Sequence, residues 1–142
     1  MKQQNFKTHR KWVPGYHIIT FLAIIALIIG SIRYLINSSE DNVYTASLLV
    51  LVSFILLFMF YFLRTFALKA QDRALKVEEN LRHYLITGKP LSADLSMRQI
   101  IGLRFASDEE FPALAEKAAK ESMSENDIKK AIKNWKADNY RA

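Results

Sequence analysis

Two long stretches of this chain carry no formal charge, and that constrains its fold more than any other feature. Between Val13 and Ile32, and again between Val43 and Leu63, no Asp, Glu, Lys or Arg occurs. Residues 13–63 hold three charged side chains, Arg33, Glu40 and Asp41, whereas residues 64–142 hold 15 basic and 12 acidic ones. A soluble domain interleaves its charges with its apolar residues, so this segregation excludes an ordinary globular protein and a disordered chain alike. The 142 residues suffice for one domain or one small membrane module.

The first stretch predicts a membrane span over residues 16–36, about 30 Å of helix and one hydrocarbon thickness. The second predicts a span over 43–63. The polar residues 37–42 form a turn too short to be a domain. A cleavable signal peptide competes for the first stretch, but no small-residue cleavage site follows and Arg33-Tyr34-Leu35-Ile36 continues the span. Lys2, Lys7, Arg10 and Lys11 precede span one, and Arg64, Lys69 and Arg73 follow span two. By the excess of Lys and Arg on the inner side, both termini are expected in the cytoplasm and the loop outside. Trp12, Tyr16 and Tyr61 at the inner ends, with Tyr34 and Tyr44 at the outer, fit an aromatic belt. Net charge is +6. Its excess lies next to the spans, which favours a role in membrane topology over nucleic-acid binding.

Antiparallel pairing about the loop places Ala26 level with Ser53, flanked by Ala23 and Gly30. These four are the expected helix-packing residues, because small side chains let backbones approach. Phe54, Phe58 and Phe62 recur every four residues as a bulky ridge. That ridge faces lipid, fills the hairpin groove, or docks another membrane subunit.

No Gly or Pro interrupts the chain between Leu63 and Gly88. Span two is therefore expected to continue as one helix to about Thr87, roughly 65 Å in all. Ala67, Ala70, Ala74, Val77, Leu81 and Tyr84 form a heptad stripe along its cytoplasmic part. The stripe either packs against this chain's own later helices, the favoured reading, or pairs two copies. Asp72–Lys76 and Glu78–Arg82 are expected i,i+4 ion pairs. Three short helices follow, with start signals at Ser96, Ser107 and Ser124. Their apolar faces (Phe111, Leu114, Ala115, Ala118, Ala119, and Ile128, Ala131, Ile132, Trp135) predict a small core. Leu81, Tyr84, Leu85, Ile100, Leu103 and Phe105 are expected to join it.

Catalytic chemistry finds little support. There is no cysteine, which excludes disulfides, thiolate catalysis and thiolate metal sites. The histidines are His9, His17 and His83; only His83 has a carboxylate, Glu79, at helical spacing, and one such pair falls short of a metal site. Asp108-Glu109-Glu110 is accounted for by the positive end of a helix. No phosphate loop or nucleophile elbow occurs, and no cofactor is expected. Lys129, Lys130, Lys133 and Lys136 on the last helix, with Trp135 and Tyr140 interleaved, read as a solvated face, a contact for anionic lipid or a partner, or more weakly a nucleic-acid surface.

Several segments carry a resemblance: His9-Arg10-Lys11-Trp12-Val13-Pro14-Gly15-Tyr16-His17, Glu79-Asn80-Leu81-Arg82-His83-Tyr84, Arg98-Gln99-Ile100-Ile101, Arg104-Phe105-Ala106-Ser107-Asp108-Glu109-Glu110-Phe111-Pro112, and Asp127-Ile128-Lys129-Lys130-Ala131-Ile132-Lys133-Asn134-Trp135. Through them the chain resembles an uncharacterised family of small bacterial two-span membrane proteins. The resemblance implies two spans and a bacterial inner membrane, and brings no activity.

The expectation is an all-α protein: a basic N-terminal segment (1–15), a transmembrane helical hairpin (16–63), and a cytoplasmic helical domain (64–142) that the second span enters directly. A non-enzymatic membrane-anchored interaction module, or an accessory subunit of a larger complex, is the leading reading. Its expected partners are the bilayer and a protein or a second copy. The alternative is a membrane-tethered regulator contacting anionic lipid or nucleic acid through its lysine-rich helix. An enzyme or transporter is the third class; two spans alone enclose no pore.

Overall fold

The structure, a computed structural model, describes residues 5, 6, 8 and 13–138. The expectations on Trp12, His9, Tyr140 and the basic residues Lys2, Lys7, Arg10 and Lys11 lie outside them. The regular elements of the described residues are all helical: a π-helical segment Gly15–Thr20, α1 (Phe21–Ile36), a 3-10 turn Glu40–Asn42, α2 (Val43–Thr87), α3 (Met97–Leu103), α4 (Phe111–Lys120) and α5 (Glu125–Ala131). The described residues form no strand; one isolated antiparallel bridge joins Ala106 to Trp135. The chain divides into two compact units, Trp12–Ala67 and one built on Leu68–Ala142.

Gly15–Ile36 and Glu40–Thr87 are both long and apolar enough to cross a membrane. The entry to α1 is π-helical rather than the regular helix expected from residue 16. Thr20 Oγ1 donates to the Gly15 carbonyl five residues back, at 2.9 Å, and Tyr16 stacks on Phe60 with ring centroids 4.3 Å apart. The Tyr16 hydroxyl also donates to the Phe60 carbonyl. Between the helices, Asn37 Nδ2 and Ser38 Oγ return to the α1 carbonyls of Arg33 and Leu35. Ser39 then accepts from the Asn42 and Val43 amides to start the next turn.

The packing register differs from the expected one. Ser53 is fully buried, but the residue opposite is Ser31, with the hydroxyl oxygens 3.4 Å apart. On α1 the inward residues are Ile24 and Ser31. Ala23, Ala26 and Gly30 lie on its exposed side, and a Cβ built on Gly30 meets nothing within 4 Å. Ser31 meets the buried Ser53 hydroxyl with a hydroxyl of its own, a polar partner that Ala26 cannot offer. Phe54, Phe58 and Phe62 are exposed, and so do not fill the groove between α1 and α2.

Helix α2 stops where expected. Gly88 takes φ +72, the left-handed conformation that a side chain disfavours, its amide bonds the Tyr84 carbonyl at 2.8 Å, and Pro90 follows. In the second unit α3, α4 and α5 close on Ile100, Leu103, Phe105, Phe111, Ala118 and Ile128, all almost wholly buried. The Ser96/Gln99 capping box starts α3, and the Gln99 amide donates to the α4 carbonyl of Ala118 at 2.9 Å. Gly102 sits against α5, where an added Cβ would come 3.2 Å from the Glu125 carbonyl oxygen.

Two expected boundaries move. Helix α4 starts at Phe111 rather than after Ser107, because Ser107 is held by the neighbouring segment, its amide donating to the Asn134 carbonyl at 3.0 Å. Helix α5 ends at Ala131 rather than running through Trp135. Ile132 is already extended, and residues 133–136 lie antiparallel to 105–107. Leu81, Tyr84 and Leu85 are exposed and take no part in the core.

Candidate interaction surface

Beyond Ala67, helix α2 has an inner and an outer face. Leu75, Glu79 and Arg82 lie on the inner one, and Arg82 is its hub. Its Nε donates to Asp108 Oδ1 at 2.7 Å, its Nη1 to Glu79 Oε2 at 2.9 Å and its Nη2 to the Ala106 carbonyl at 2.7 Å. The guanidinium lies 4.4 Å from the Phe111 ring centroid, a planar cation on an aromatic face. The Arg82 and Glu79 side chains are almost enclosed, Asp108 is open to water, and together the bonds hold α2 to the turn ahead of α4. Arg82 pairs with Glu79 at i,i+3 rather than with Glu78 at i,i+4 as expected, because Glu79 shares the inner face and Glu78 does not.

His83 is accounted for by the same contact. Its Nδ1 is 2.7 Å from the Lys89 carbonyl oxygen and its ring meets Phe111 edge-on. Asn80 Oδ1 accepts the Leu91 amide at 2.9 Å, fixing the chain that leaves α2. Glu79 is committed to Arg82, so no Glu79–His83 ligand pair forms. Among the described residues no three His, Asp or Glu side chains are placed to hold a metal ion.

The acidic run keeps local contacts of a helix start, with Glu110 Oε1 3.5 Å from the Ser107 amide, and adds tertiary partners. Asp108 is held below the usual carboxylate value by the Arg82 hydrogen bond, against the opposing effect of burial and with help from the charges of Arg82 and Lys136. Glu110 accepts from the backbone amides of Lys133 at 3.2 Å and Asn134 at 3.0 Å, tying down the segment after α5.

The four lysines do not form one face. Lys129 is buried, its Nζ 2.5 Å from Glu125 and 5.6 Å from the Phe105 ring centroid. Burial works against the ionised Glu125, but Lys129 and Arg98 outweigh it and hold the carboxyl below its usual range. Lys130, Lys133 and Lys136 are exposed, and Lys136 lies 3.9 Å from Asp108. The last two are off the helix, in the extended segment carrying Trp135, whose ring packs 5.1 Å from that of Phe105.

The outer face of α2 is the open surface. Ala67, Ala70, Ala74, Val77, Leu81 and Tyr84 all lie on it and all are exposed, Val77 at 69% and Leu81 at 55%. Leu85 beside them is 75% exposed. The favoured reading, in which this stripe packs against the later helices, is therefore corrected: the inner face reaches them through Arg82 instead. Sequence pattern finds apolar stripes and so points at the outer face. The inner contact is largely polar and centres on Arg82, with His83 and Asn80 beside it, and its sequence signal is little more than an i,i+3 Glu-Arg pair.

Residues 1–142 match the family of unknown function DUF6526, and the chain belongs to that family. No curated protein and no solved structure shows a match.

Proposed function

We propose that this DUF6526 member is a non-enzymatic integral membrane protein of the bacterial inner membrane, whose helical hairpin anchors a cytoplasmic interaction module. The exposure of the long apolar helices carries the reading. Only 11% of the most apolar 18-residue stretch of either is buried, and Ile19, Phe58 and Leu63 are each more than half exposed. A core helix of a soluble protein hides such residues; here a bilayer covers them, with backbone polar groups satisfied inside each helix. Tyr44 and Tyr61, 74% and 63% exposed near the two ends of the apolar part of α2, suit the headgroup level. The flanking Lys and Arg favour both termini in the cytoplasm.

The alternative, a regulator acting through its lysines, has less support. Lys129 is enclosed and paired, which leaves three scattered lysines and an adjacent carboxylate.

The test uses the absence of cysteine. Ser39→Cys in the loop is expected to react with a membrane-impermeant maleimide in intact cells, and Ser122→Cys only after lysis. Extraction of the polypeptide by alkaline carbonate, or labelling of Ser122→Cys from outside, overturns the reading.

A further inference from the structure

We propose that the outer face of α2 is the seam of a parallel, two-stranded coiled coil with a second copy of this chain. The inference deepens the reading above, and its common orientation of two copies rests on that reading: chains inserted the same way present their cytoplasmic helices side by side and pointing the same way.

The heptad carries the choice of partner. With Ala67, Ala74 and Leu81 at the a positions and Ala70, Val77 and Tyr84 at d, every seam residue is apolar or aromatic and exposed. The opposite side of the helix is already occupied, by Glu79 and Arg82 in their bonds to the rest of the module. One helix thus serves its own chain with one face and leaves the other unfilled.

The charges fit a second copy in parallel. From residue 66 to 87 the g positions are Phe66, Arg73, Asn80 and Thr87, and the e positions are Gln71, Glu78 and Leu85. The only two charged residues among them are Arg73 and Glu78, of opposite sign. They stand five residues apart, the g-to-e spacing across a parallel pair. Arg73 then faces the partner's Glu78, and twofold symmetry repeats the contact. An antiparallel pair sets g against g and e against e and loses both. Lys69 and Lys76, at c, stay in water. The alanines at the membrane end allow close approach. Confinement to a membrane raises the effective concentration, so a seam of under three heptads suffices.

Single-cysteine variants of the full chain in native membranes test this. Ala74→Cys, Val77→Cys and Leu81→Cys are expected to cross-link as like-with-like dimers, and Lys69→Cys and Lys76→Cys to do so far less. Leu81→Asp is expected to weaken self-association by at least about tenfold while leaving the thermal unfolding of the module unchanged, since the residue is exposed. Arg73→Glu and Glu78→Arg each reduce cross-linking, and the double exchange restores it. Cross-linking that is absent at all seam positions or equal around the helix overturns the proposal. So do mixed Ala70→Cys/Leu81→Cys pairs that exceed the like pairs. Carbonate extraction of the same membranes separates the two readings. A chain that stays in the membrane without pairing defeats only the dimer, and one that washes off yet pairs at the seam defeats only the anchor.

Discussion

Arg82 and Asp108, 26 residues apart in sequence, are joined by a 2.7 Å hydrogen bond from Nε to Oδ1. The same guanidinium holds Glu79 and the Ala106 carbonyl. At the centre of the contact between the long helix and the small helical module stands one side chain whose donors are nearly all used, a task for which a flexible ammonium is no substitute.

Arg82→Gln is expected to destabilise the module by about 3 kcal/mol, because Glu79 is left buried without its partner. Glu79→Gln alone also costs stability. In the double variant the two losses are expected to fall short of their sum by about 1–3 kcal/mol. Thermal unfolding of the detergent-solubilised chain measures all three; strict additivity would show that the pair is not coupled.

The hairpin register is open to direct chemistry. Ser31→Cys with Ser53→Cys places two thiols where the hydroxyl oxygens are 3.4 Å apart, within the reach of a disulfide. Mild oxidation is expected to remove two hydrogens from the intact mass. Ala26→Cys with Ser53→Cys is expected to stay reduced, because Ala26 is on the exposed side of α1. The reverse pattern would restore the register expected from the sequence.

Close approach and backbone strain predict opposite signs at two positions. Gly102→Ala pushes a methyl to 3.2 Å from the Glu125 carbonyl oxygen and from Ile128 Cγ2, so a loss of about 1–3 kcal/mol is expected. Ser122 ends α4 at φ +48, and Ser122→Gly is expected to gain about 1 kcal/mol by relieving it. Gly30→Ala, with open space around it, serves as the control and should change stability by less than about 1 kcal/mol.

Acid should loosen the module in a defined window. The carboxyls of Asp108 and Glu125 are both held below their ordinary values of 3.8 and 4.5. Each therefore adds stability that is full above those values and is lost as pH falls through the lower folded-state ones. Tryptophan fluorescence on titration from neutral pH should stay flat to about pH 5 and then change. Asp108→Asn or Glu125→Gln should lower stability at neutral pH and flatten the acid limb. A steep limb retained in both variants would assign it to other groups.

Much of the secondary structure was legible in the residues. The two apolar runs, the absence of breakers between Leu63 and Gly88, and the Ser96-to-Gln99 cap mark helices α1, α2 and α3 because each is a local pattern with a local cause. The end of α5 was not legible. Ile132 and Trp135 keep helical spacing, but hydrogen bonds to residues 105–107, distant in sequence, drew that segment into extended form. The acidic run before Phe111 was legible only in part: Glu110 does meet the Ser107 amide, but the bonds of Asp108 to Arg82 and of Glu110 to the 133–134 amides come from distant residues.

The sequence by itself determined that the described chain is helical, where most helices start and stop, and that one stripe of α2 is apolar, since charge segregation, capping and heptad spacing act between near neighbours. The apolar faces of α4 and α5 were legible too, but only the tertiary structure decided which faces of α1 and α2 are used. It set Ser31 rather than Ala26 against Ser53, buried Lys129 among the candidate lysines, and turned the polar face of α2 inward while leaving the apolar one open. Those choices depend on register and on a few long-range polar contacts, whose energies favour one arrangement without leaving a periodic trace in the order of residues.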